Sequence, residues 1–179
     1  VLQHPRKKFV AIVLEHMFCS WAKYLHLCPS LPAANKKAVL LKIARGIQFL
    51  HQKGVVHEDI KPANILVSKH LQSVKIADFG GASLWGEVPV VGTWTWGYGH
   101  PYQAFRRVAD PRFDVHAFGA TTEETLAGQV TLAHKIDSSR DIDTREDREL
   151  AQFVWFCCNV NIKKVPTIHD VLVHKFLQS

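Results

Sequence analysis

Apolar residues at helical spacing dominate the middle of the chain. Between Ala33 and Gln52 aliphatic residues such as Val39 and Ile43 recur every three or four positions, a pattern typical of a helix with one buried face. Gly54 then supplies the residue type that commonly follows the last turn of a helix. We therefore predict a long helix over Ala33–Gln52, preceded by a short one over Cys19–Leu27 that ends before two prolines.

Strand patterns are short and fall in two places. Phe9–Leu14 is apolar throughout and rich in β-branched residues, so it predicts a strand that needs cover on both faces and partners beside it. Few residues precede this run, which suggests that the chain starts in the middle of a larger fold. Ile65–Val67 and Val74–Ala77 predict two more strands joined by a polar turn. The segment from Asp78 to Pro101 has no steady period, and we predict a long ordered loop there.

The last third of the chain is predicted to be mainly helical. One helix is expected from about Asp114 to Leu126. Thr144 with Asp147, and Thr167 with Asp170, have the spacing of capping boxes at helix N-termini. Without internal repeats or a linker-like segment, the 179 residues predict one domain that is mainly α, of the α+β class.

Composition narrows the classes of function. Basic residues number 22 and acidic residues 16, but they are scattered, so the net charge of +6 predicts an ordinary basic surface and no nucleic-acid partner. The apolar runs are too short to span a membrane and no secretory leader is recognisable. We therefore expect a protein of the cytoplasm or the nucleus. The four cysteines form no C-x-x-C pair and are expected to be reduced, and the histidines fit no zinc pattern.

Two polar clusters carry the candidate chemistry. His57, Asp59, Lys61 and Asn64 fall within eight residues and lead directly into a predicted strand, whereas Asp78 closes the next strand. A tight turn between the two strands would bring two carboxylates, an amide and an ammonium into one cleft. Phosphoryl transfer uses such a set, because it depends on positioning and on stabilising negative charge at the phosphate oxygens.

The residues His57 to Val67 (HEDIKPANILV), followed by Lys75 to Gly80 (KIADFG), resemble the catalytic loop and the magnesium loop of the eukaryotic protein kinase family, serine/threonine type. The resemblance extends from Val13–Met17, which is similar to the family's hinge strand, to the closing helix. It implies the C-terminal lobe alone, with the N-terminal lobe absent. Its parts are a hinge strand at about 9–17, the catalytic loop 57–64, the activation segment 78–101 and C-terminal helices over 102–179.

The resemblance implies ATP and Mg²⁺ as cofactors and assigns roles to individual residues. Asp59 would be the catalytic base, Lys61 would contact the γ-phosphate, and Asn64 and Asp78 would hold magnesium. Adenine would bond to the backbone of Glu15 and Met17 and pack on Leu66. Three further expectations concern supporting residues: Thr93 would lie near Asp59 and Lys61, His57 and Phe79 would stack together, and Asp114 would brace the catalytic loop.

The chain also departs from the family. Glu58 replaces an arginine that pairs with phosphorylated activation loops, so phosphorylation at Ser83, Thr93 or Thr95 is not expected to activate through this position. Tyr102 and Val165 replace both members of a buried ion pair, a double loss that can be nearly neutral. The glycine-rich loop and the strand lysine of the N-terminal lobe are missing, so we expect this polypeptide alone to transfer phosphate poorly.

Two functions stay open from the sequence. The first is a serine/threonine protein kinase, an ATP-dependent transferase acting on protein hydroxyls, represented by its C-terminal lobe. The second is a pseudokinase-like scaffold or allosteric module without catalysis. The expected partners are a protein substrate or a regulatory protein, together with a missing N-terminal lobe or a partner chain that supplies it.

Overall fold

The computed structural model describes residues 2–3, 10–88, 94–105, 108–129 and 145–178. Helices make up most of the regular structure, and the strands are two or three residues long, in line with the mainly α prediction. The helices are α1 Trp21–Leu27, α2 Ala33–Gln52, α3 Arg112–Ala127, α4 Arg145–Cys157, α5 Ile168–Leu172 and α6 Lys175–Gln178. The strands are β1 Leu2–Gln3, β2 Val10–Ala11, β3 Cys19–Ser20, β4 Val55–Val56, β5 Ile65–Val67, β6 Val74–Ile76 and β7 Ser83–Leu84. Short 3-10 turns cover Pro62–Asn64, Phe79–Gly81, Pro101–Phe105 and Ile162–Lys164.

Helix α2 is the centre of the fold and has the predicted bounds. Its buried face, which includes Val39, Ile43 and Ile47, packs against α3, α5 and β6. Gly54 follows the helix with a φ of 72°, a left-handed conformation that glycine adopts without steric cost. The predicted helix stop is therefore confirmed.

Three antiparallel strands, in the order β3-β5-β6, lie beside α2. Because Cys19 and Ser20 pair with Val67 and Leu66, helix α1 begins at Trp21 and not at Cys19 as predicted. The Ser20 side chain accepts a hydrogen bond from the backbone of Lys23 and caps the helix. Strand β4 pairs with β7 in a second, two-stranded sheet.

The predicted strand over Phe9–Leu14 is wrong in its second half. Only Val10–Ala11 pairs, with Leu2–Gln3, and residues 12–17 belong to no strand. Ile12, Val13 and Leu14 are 68%, 72% and 78% exposed, so they also lack the predicted cover. An apolar run becomes a strand only where a neighbouring backbone accepts its hydrogen bonds, and β1 offers two residues. Phe9 lies outside the described residues.

The predictions for the C-terminal third of the chain agree more closely with the structure. Helix α3 begins at Arg112, two residues before the predicted start, and ends at Ala127 before Gly128, whose φ is 77°. The capping box of Thr167 and Asp170 is present, with bonds in both directions, whereas Thr144 lies outside the described residues. All four cysteines are free, as expected. Among the described helices, none combines the length and the apolar character needed to cross a bilayer.

Candidate active site

The segment 57–64 is anchored on a carboxylate of α3. Asp114 is fully buried, and its Oδ1 accepts the backbone N–H of Glu58 at 2.7 Å while its Oδ2 accepts that of His57 at 2.9 Å. His51, from the end of α2, places Nε2 2.9 Å from the same Oδ2. An ionised carboxylate only accepts hydrogen bonds, so His51 donates from Nε2. The expected bracing role of Asp114 is thus seen in the geometry.

Asp59 lies at the centre of a hydrogen-bonded cluster. Its Oδ2 accepts from Lys61 Nζ at 2.7 Å and from Asn64 Nδ2 at 2.9 Å. Its Oδ1 accepts from the Thr95 hydroxyl at 2.6 Å, and the Thr95 oxygen in turn accepts from Lys61 at 2.7 Å. The cluster brings together three of the residues predicted from the sequence.

The bonding capacity of Asp59 is not exhausted by these partners. A carboxylate has about four lone-pair directions, and the three bonds from Lys61, Asn64 and Thr95 leave room for a further donor at Oδ1. The Asp59 side chain is mostly buried but keeps 13% of its surface exposed, so it is not sealed from solvent. A substrate hydroxyl could therefore bond to this carboxylate without displacing Lys61 or Asn64.

Asn64 and Asp78 are brought to the same end of the β5–β6 pair. The backbone N–H of Ala77 donates to the carbonyl of Asn64 at 2.9 Å, so Asp78 follows directly after the last paired position. Asp78 has φ 64° and ψ 71°, and its side chain accepts from the N–H of Gly80 at 3.4 Å. Because of this left-handed conformation, Asp78 does not follow the alternation of side chains between the two faces of the strand. Its side chain is exposed.

The donor set fits a magnesium ion. The Asn64 amide nitrogen is committed to Asp59, donating to both its carbonyl and its carboxylate, which leaves the amide oxygen as the atom that can hold a cation. The Asp78 carboxylate adds charged oxygens, and Mg²⁺ prefers oxygen ligands while retaining several waters. Among the described residues no cluster of three or more His, Cys, Asp or Glu side chains is positioned to hold a metal, so the fit rests on this Asp–Asn pair.

His57 and Phe79 meet as expected. Their ring centroids are 5.0 Å apart, with an edge-to-face angle of 69°. His57 Nδ1 accepts from the backbone of Asp59 at 3.3 Å, so the proton is on Nε2, which donates to the carbonyl of Ala77 at 3.0 Å. One buried imidazole therefore links the loop of Asp59 to the strand end at Asp78.

The predicted adenine contacts lie along the sheet. Glu15 is exposed, and its carboxylate pairs with Lys75 of β6 at 3.3 Å. Met17 is half-buried, and the next residue, Phe18, donates its N–H to Val67 at 3.0 Å. Leu66 is half-buried in β5, opposite Ser20 and Lys75. The three positions thus border β5 and β6, and their role toward adenine stays a prediction.

Thr95 belongs to the cluster around Asp59 but was not predicted from the sequence. The hydroxyl expected beside Asp59 and Lys61 was that of Thr93, which lies outside the described residues. The chain holds the two threonines two positions apart, each followed by a tryptophan. No local signal distinguishes them, because the contact of Thr95 with Asp59 spans 36 residues.

The backbone carbonyl of Glu58 is hydrogen-bonded to Gln103, a residue that was not predicted from the sequence. The N–H of His100 donates to Gln103 Oε1 at 2.8 Å, and Gln103 Nε2 donates to the carbonyl of Glu58 at 3.4 Å. Glu58 is 2% exposed and has a φ of 70°, so its side chain is part of the interior. Glu58, which stands where the resembled family has an arginine, is therefore buried in the fold.

Tyr98 supplies a further fixed polar group near the cluster. Its hydroxyl donates to the Glu124 carboxylate. Burial raises the pKa of Tyr98, and the hydrogen bond and charge of Glu124, with the charge of Asp59, raise this pKa further. Tyr98 therefore stays a protonated donor at neutral pH.

Comparisons with known proteins identify the family of the chain. Residues 3–177 match the family model described as "Protein kinase domain". The chain therefore belongs to the protein kinase family.

Three relatives illustrate the range of the match. Chitin elicitor receptor kinase 1 of Physcomitrium patens is 34% identical over 135 residues, 70% of this chain and 21% of the relative. Serine/threonine-protein kinase ULK3 of Rattus norvegicus is 32% identical over 146 residues, 78% of this chain and 30% of the relative. A putative serine/threonine-protein kinase/receptor (R826) of Acanthamoeba polyphaga mimivirus is 30% identical over 185 aligned positions, 94% of this chain and 11% of the relative. The chain thus spans less than a third of the length of each.

Proposed function

We propose that this chain carries the catalytic loop of a serine/threonine protein kinase that transfers the γ-phosphoryl group of ATP to protein hydroxyls. The observation that carries the proposal is the cluster in which Asp59 accepts hydrogen bonds from Lys61, Asn64 and Thr95. It fixes a carboxylate beside an ammonium and keeps one direction at the carboxylate open. A hydroxyl nucleophile and a phosphate need such an arrangement side by side.

The proposed roles follow the bonds. Asp59 would accept the proton of the attacking hydroxyl as its oxygen bonds to the γ-phosphorus and the bond to the bridging oxygen of ADP breaks. Lys61 would stabilise negative charge on the transferred group. Thr95 would keep the side chains of Asp59 and Lys61 in fixed relative positions. Asn64 and Asp78 would hold Mg²⁺, which would neutralise charge on the ATP phosphates.

We also propose that the chain corresponds to the C-terminal lobe and that ATP lies against β5 and β6. In that arrangement the backbone of Glu15 and Met17 would bond to adenine, and Leu66 would pack under its ring. The exposed apolar side chains of Ile12, Val13 and Leu14 support this proposal, because they leave an uncovered apolar surface directly before Glu15 and Met17 in the chain.

A test compares Asp59→Asn and Asp78→Asn in the protein that carries this sequence, using Mg-ATP and a mixed protein substrate. We expect the rate of phosphoryl transfer to fall at least about a hundredfold in both variants. The matched control is Asp110→Asn, which alters a carboxylate that pairs with Arg112 and makes no contact with Asp59. Transfer that survives in Asp59→Asn would overturn the proposed role of the base.

The second candidate is a non-catalytic scaffold that keeps the kinase fold. It is favoured by the buried Glu58, which places an acid in the interior directly beside the proposed base. A wild-type protein that transfers no phosphate, and whose melting temperature does not change on adding Mg-ATP, would support this candidate. Transfer that depends on Asp59 and Asp78 would exclude it.

A further inference from the structure

A cavity of about 410 Å³ lies between the end of α2, the loop after β7, the start of α3 and α5. Its walls include Gln48, His51, Trp85, Arg112, Val115 and Ile168. The volume is within the range of sites that bind small molecules, roughly 300–1,000 Å³. None of the residues around Asp59 lines it, so it is distinct from the proposed phosphotransfer site.

The lining defines the chemistry of a ligand. Val115 and Ile168 are buried and apolar, whereas the Trp85 ring is 64% exposed and offers a flat surface at the mouth. Arg112 pairs with Asp110 at 3.2 Å through one guanidinium nitrogen. A guanidinium has five N–H donors, so others remain for a ligand. In apolar cavities the ligand packs on hydrophobic and aromatic side chains, and a few convergent polar groups fix its orientation. The site therefore suits a flat apolar molecule with one acidic group.

His51 connects this cavity to the catalytic loop. The ring lines the cavity, and its Nε2 donates to Asp114. The other bonds of Asp114 fix the backbone N–H groups of His57 and Glu58, the two residues before Asp59. Glu58 has a φ of 70°, a conformation that costs energy for a residue with a side chain and persists only when its surroundings hold it. A ligand that limits the motion of His51 therefore also stabilises this anchor.

We propose that the cavity is an effector site for small aromatic acids, coupled to the catalytic loop through His51 and Asp114. Ligand and loop are then linked reciprocally, because any preference of the ligand for the anchored arrangement stabilises that arrangement. The coupling uses no atom of the ATP or substrate site, so it is testable without a kinase assay.

The first measurement is binding of anilinonaphthalene sulfonate, a flat aromatic anion, followed by its fluorescence in the full chain. We expect one saturable site, with affinity reduced at least about tenfold in Gln48→Trp, which fills the cavity from α2. His169→Trp fills it from α5 and serves if the first variant does not fold. Arg45→Trp adds the same ring to an exposed position of α2 outside the cavity and should bind as the wild type does. Equal affinity in the wild type and the filled variants would overturn the site.

The second measurement is amide hydrogen exchange with and without saturating probe. We expect exchange at His57 and Glu58 to slow about tenfold on binding, because the filled cavity restrains His51 and excludes water from its bond to Asp114. Helix α4 contributes no residue to the lining and serves as the internal reference. Saturable binding with unchanged exchange at His57 and Glu58 would overturn the coupling.

Discussion

At the scale of single residues, the hydroxyl of Thr95 decides how Asp59 and Lys61 face each other. It donates to one and accepts from the other. Thr95→Val keeps the shape but removes both bonds, so Asp59 Oδ1 and Lys61 lose the group that fixes their relative orientation. We expect kcat to fall roughly 10–100-fold with little change in melting temperature, measured by steady-state phosphoryl transfer and thermal unfolding.

Thr95→Ser is the matched control, since it keeps the hydroxyl and loses one methyl group. Activity within about threefold of the wild type is expected for this variant. If the serine variant loses as much activity as the valine variant, packing of the methyl group and not the bridging hydroxyl is the cause. Unchanged activity in Thr95→Val would contradict the positioning role directly.

The site could be predicted from the sequence only where its residues are close along the chain. Asp59, Lys61 and Asn64 share one short loop, so their approach follows from the loop itself. Asp78 comes near them because two strands joined by a tight turn must return to the same end. Thr95 is fixed instead by the path of the segment after Asp78, and its contact with Asp59 depends on tertiary packing that no local pattern encodes.

At the scale of elements, Asp114 joins α2 and α3 to the loop that carries Asp59. Asp114→Asn replaces an acceptor oxygen by an NH₂ group, which then faces the donors of His57 and His51 or of Glu58. A buried donor left without an acceptor costs about 1–3 kcal/mol, and more than one donor is affected here. We expect the free energy of unfolding to fall by about 3 kcal/mol in denaturant titrations.

Asp110→Asn is the control for this prediction. Asp110 lies just before the same helix, where its Oδ1 accepts from the backbone of Arg112 at 2.9 Å and its Oδ2 pairs with the Arg112 guanidinium. An asparagine oxygen keeps the first bond, and half-exposed ion pairs contribute about 0–1 kcal/mol. A loss in Asp110→Asn as large as that in Asp114→Asn would show that charge, and not the buried anchor, accounts for the effect.

The contact between α3 and α4 depends on the absence of a side chain at Gly119. A Cβ atom there would lie 2.5 Å from Cys158 Sγ and 2.6 Å from Cys157 Cβ. Glycine to alanine within a helix ordinarily stabilises by about 1 kcal/mol, but overpacking costs about 1–3 kcal/mol. We therefore expect Gly119→Ala to lower the free energy of unfolding, measured by denaturant titration.

Gly46→Ala in α2 is the comparison for Gly119→Ala. The added Cβ would meet only the Ile76 side chain, with its Cδ1 at 3.0 Å and its Cγ1 at 3.4 Å, and a side-chain tip can move by the few tenths of an ångström required. Gly46→Ala should therefore be neutral or nearly so. Destabilisation of equal size at both positions would mean that the close approach of α3 and α4 is not responsible.

Helices and strands could be predicted from the sequence where their local residue pattern agrees with the tertiary packing. The bounds of α2 follow from its apolar period and from Gly54, which the tertiary structure does not contradict. The run Phe9–Leu14 has strong strand propensity, yet Ile12–Leu14 stay unpaired because strand formation needs a partner backbone that the run itself does not supply. Helix α1 begins two residues later than predicted for the converse reason, since Cys19 and Ser20 pair with a partner backbone in β5.

At the scale of the whole molecule, the response to acid should occur in two windows. Burial lowers the pKa of His100 and of His174 below the ordinary value of 6.5. In His100 the neutral ring is also fixed by its bonds, with Nδ1 accepting from the backbone of Tyr102 at 3.0 Å. The unfolded chain therefore binds protons first as pH falls through 6.5, so stability declines from there until the lower folded pKa values are passed.

The second window belongs to Asp170, whose pKa is held below its ordinary value of 3.8 by hydrogen bonds from the Thr167 side chain and backbone. Its contribution is complete above 3.8 and is lost as pH falls through the lower folded pKa. Melting temperatures measured from about pH 8 to about pH 3 should therefore fall in two steps. His100→Asn should reduce the first step to the contribution of His174 and leave the second, whereas Asp170→Asn should reduce the second and leave the first. A single step unaffected by His100→Asn would contradict the assignment, because the buried imidazole would then bear no proton linkage.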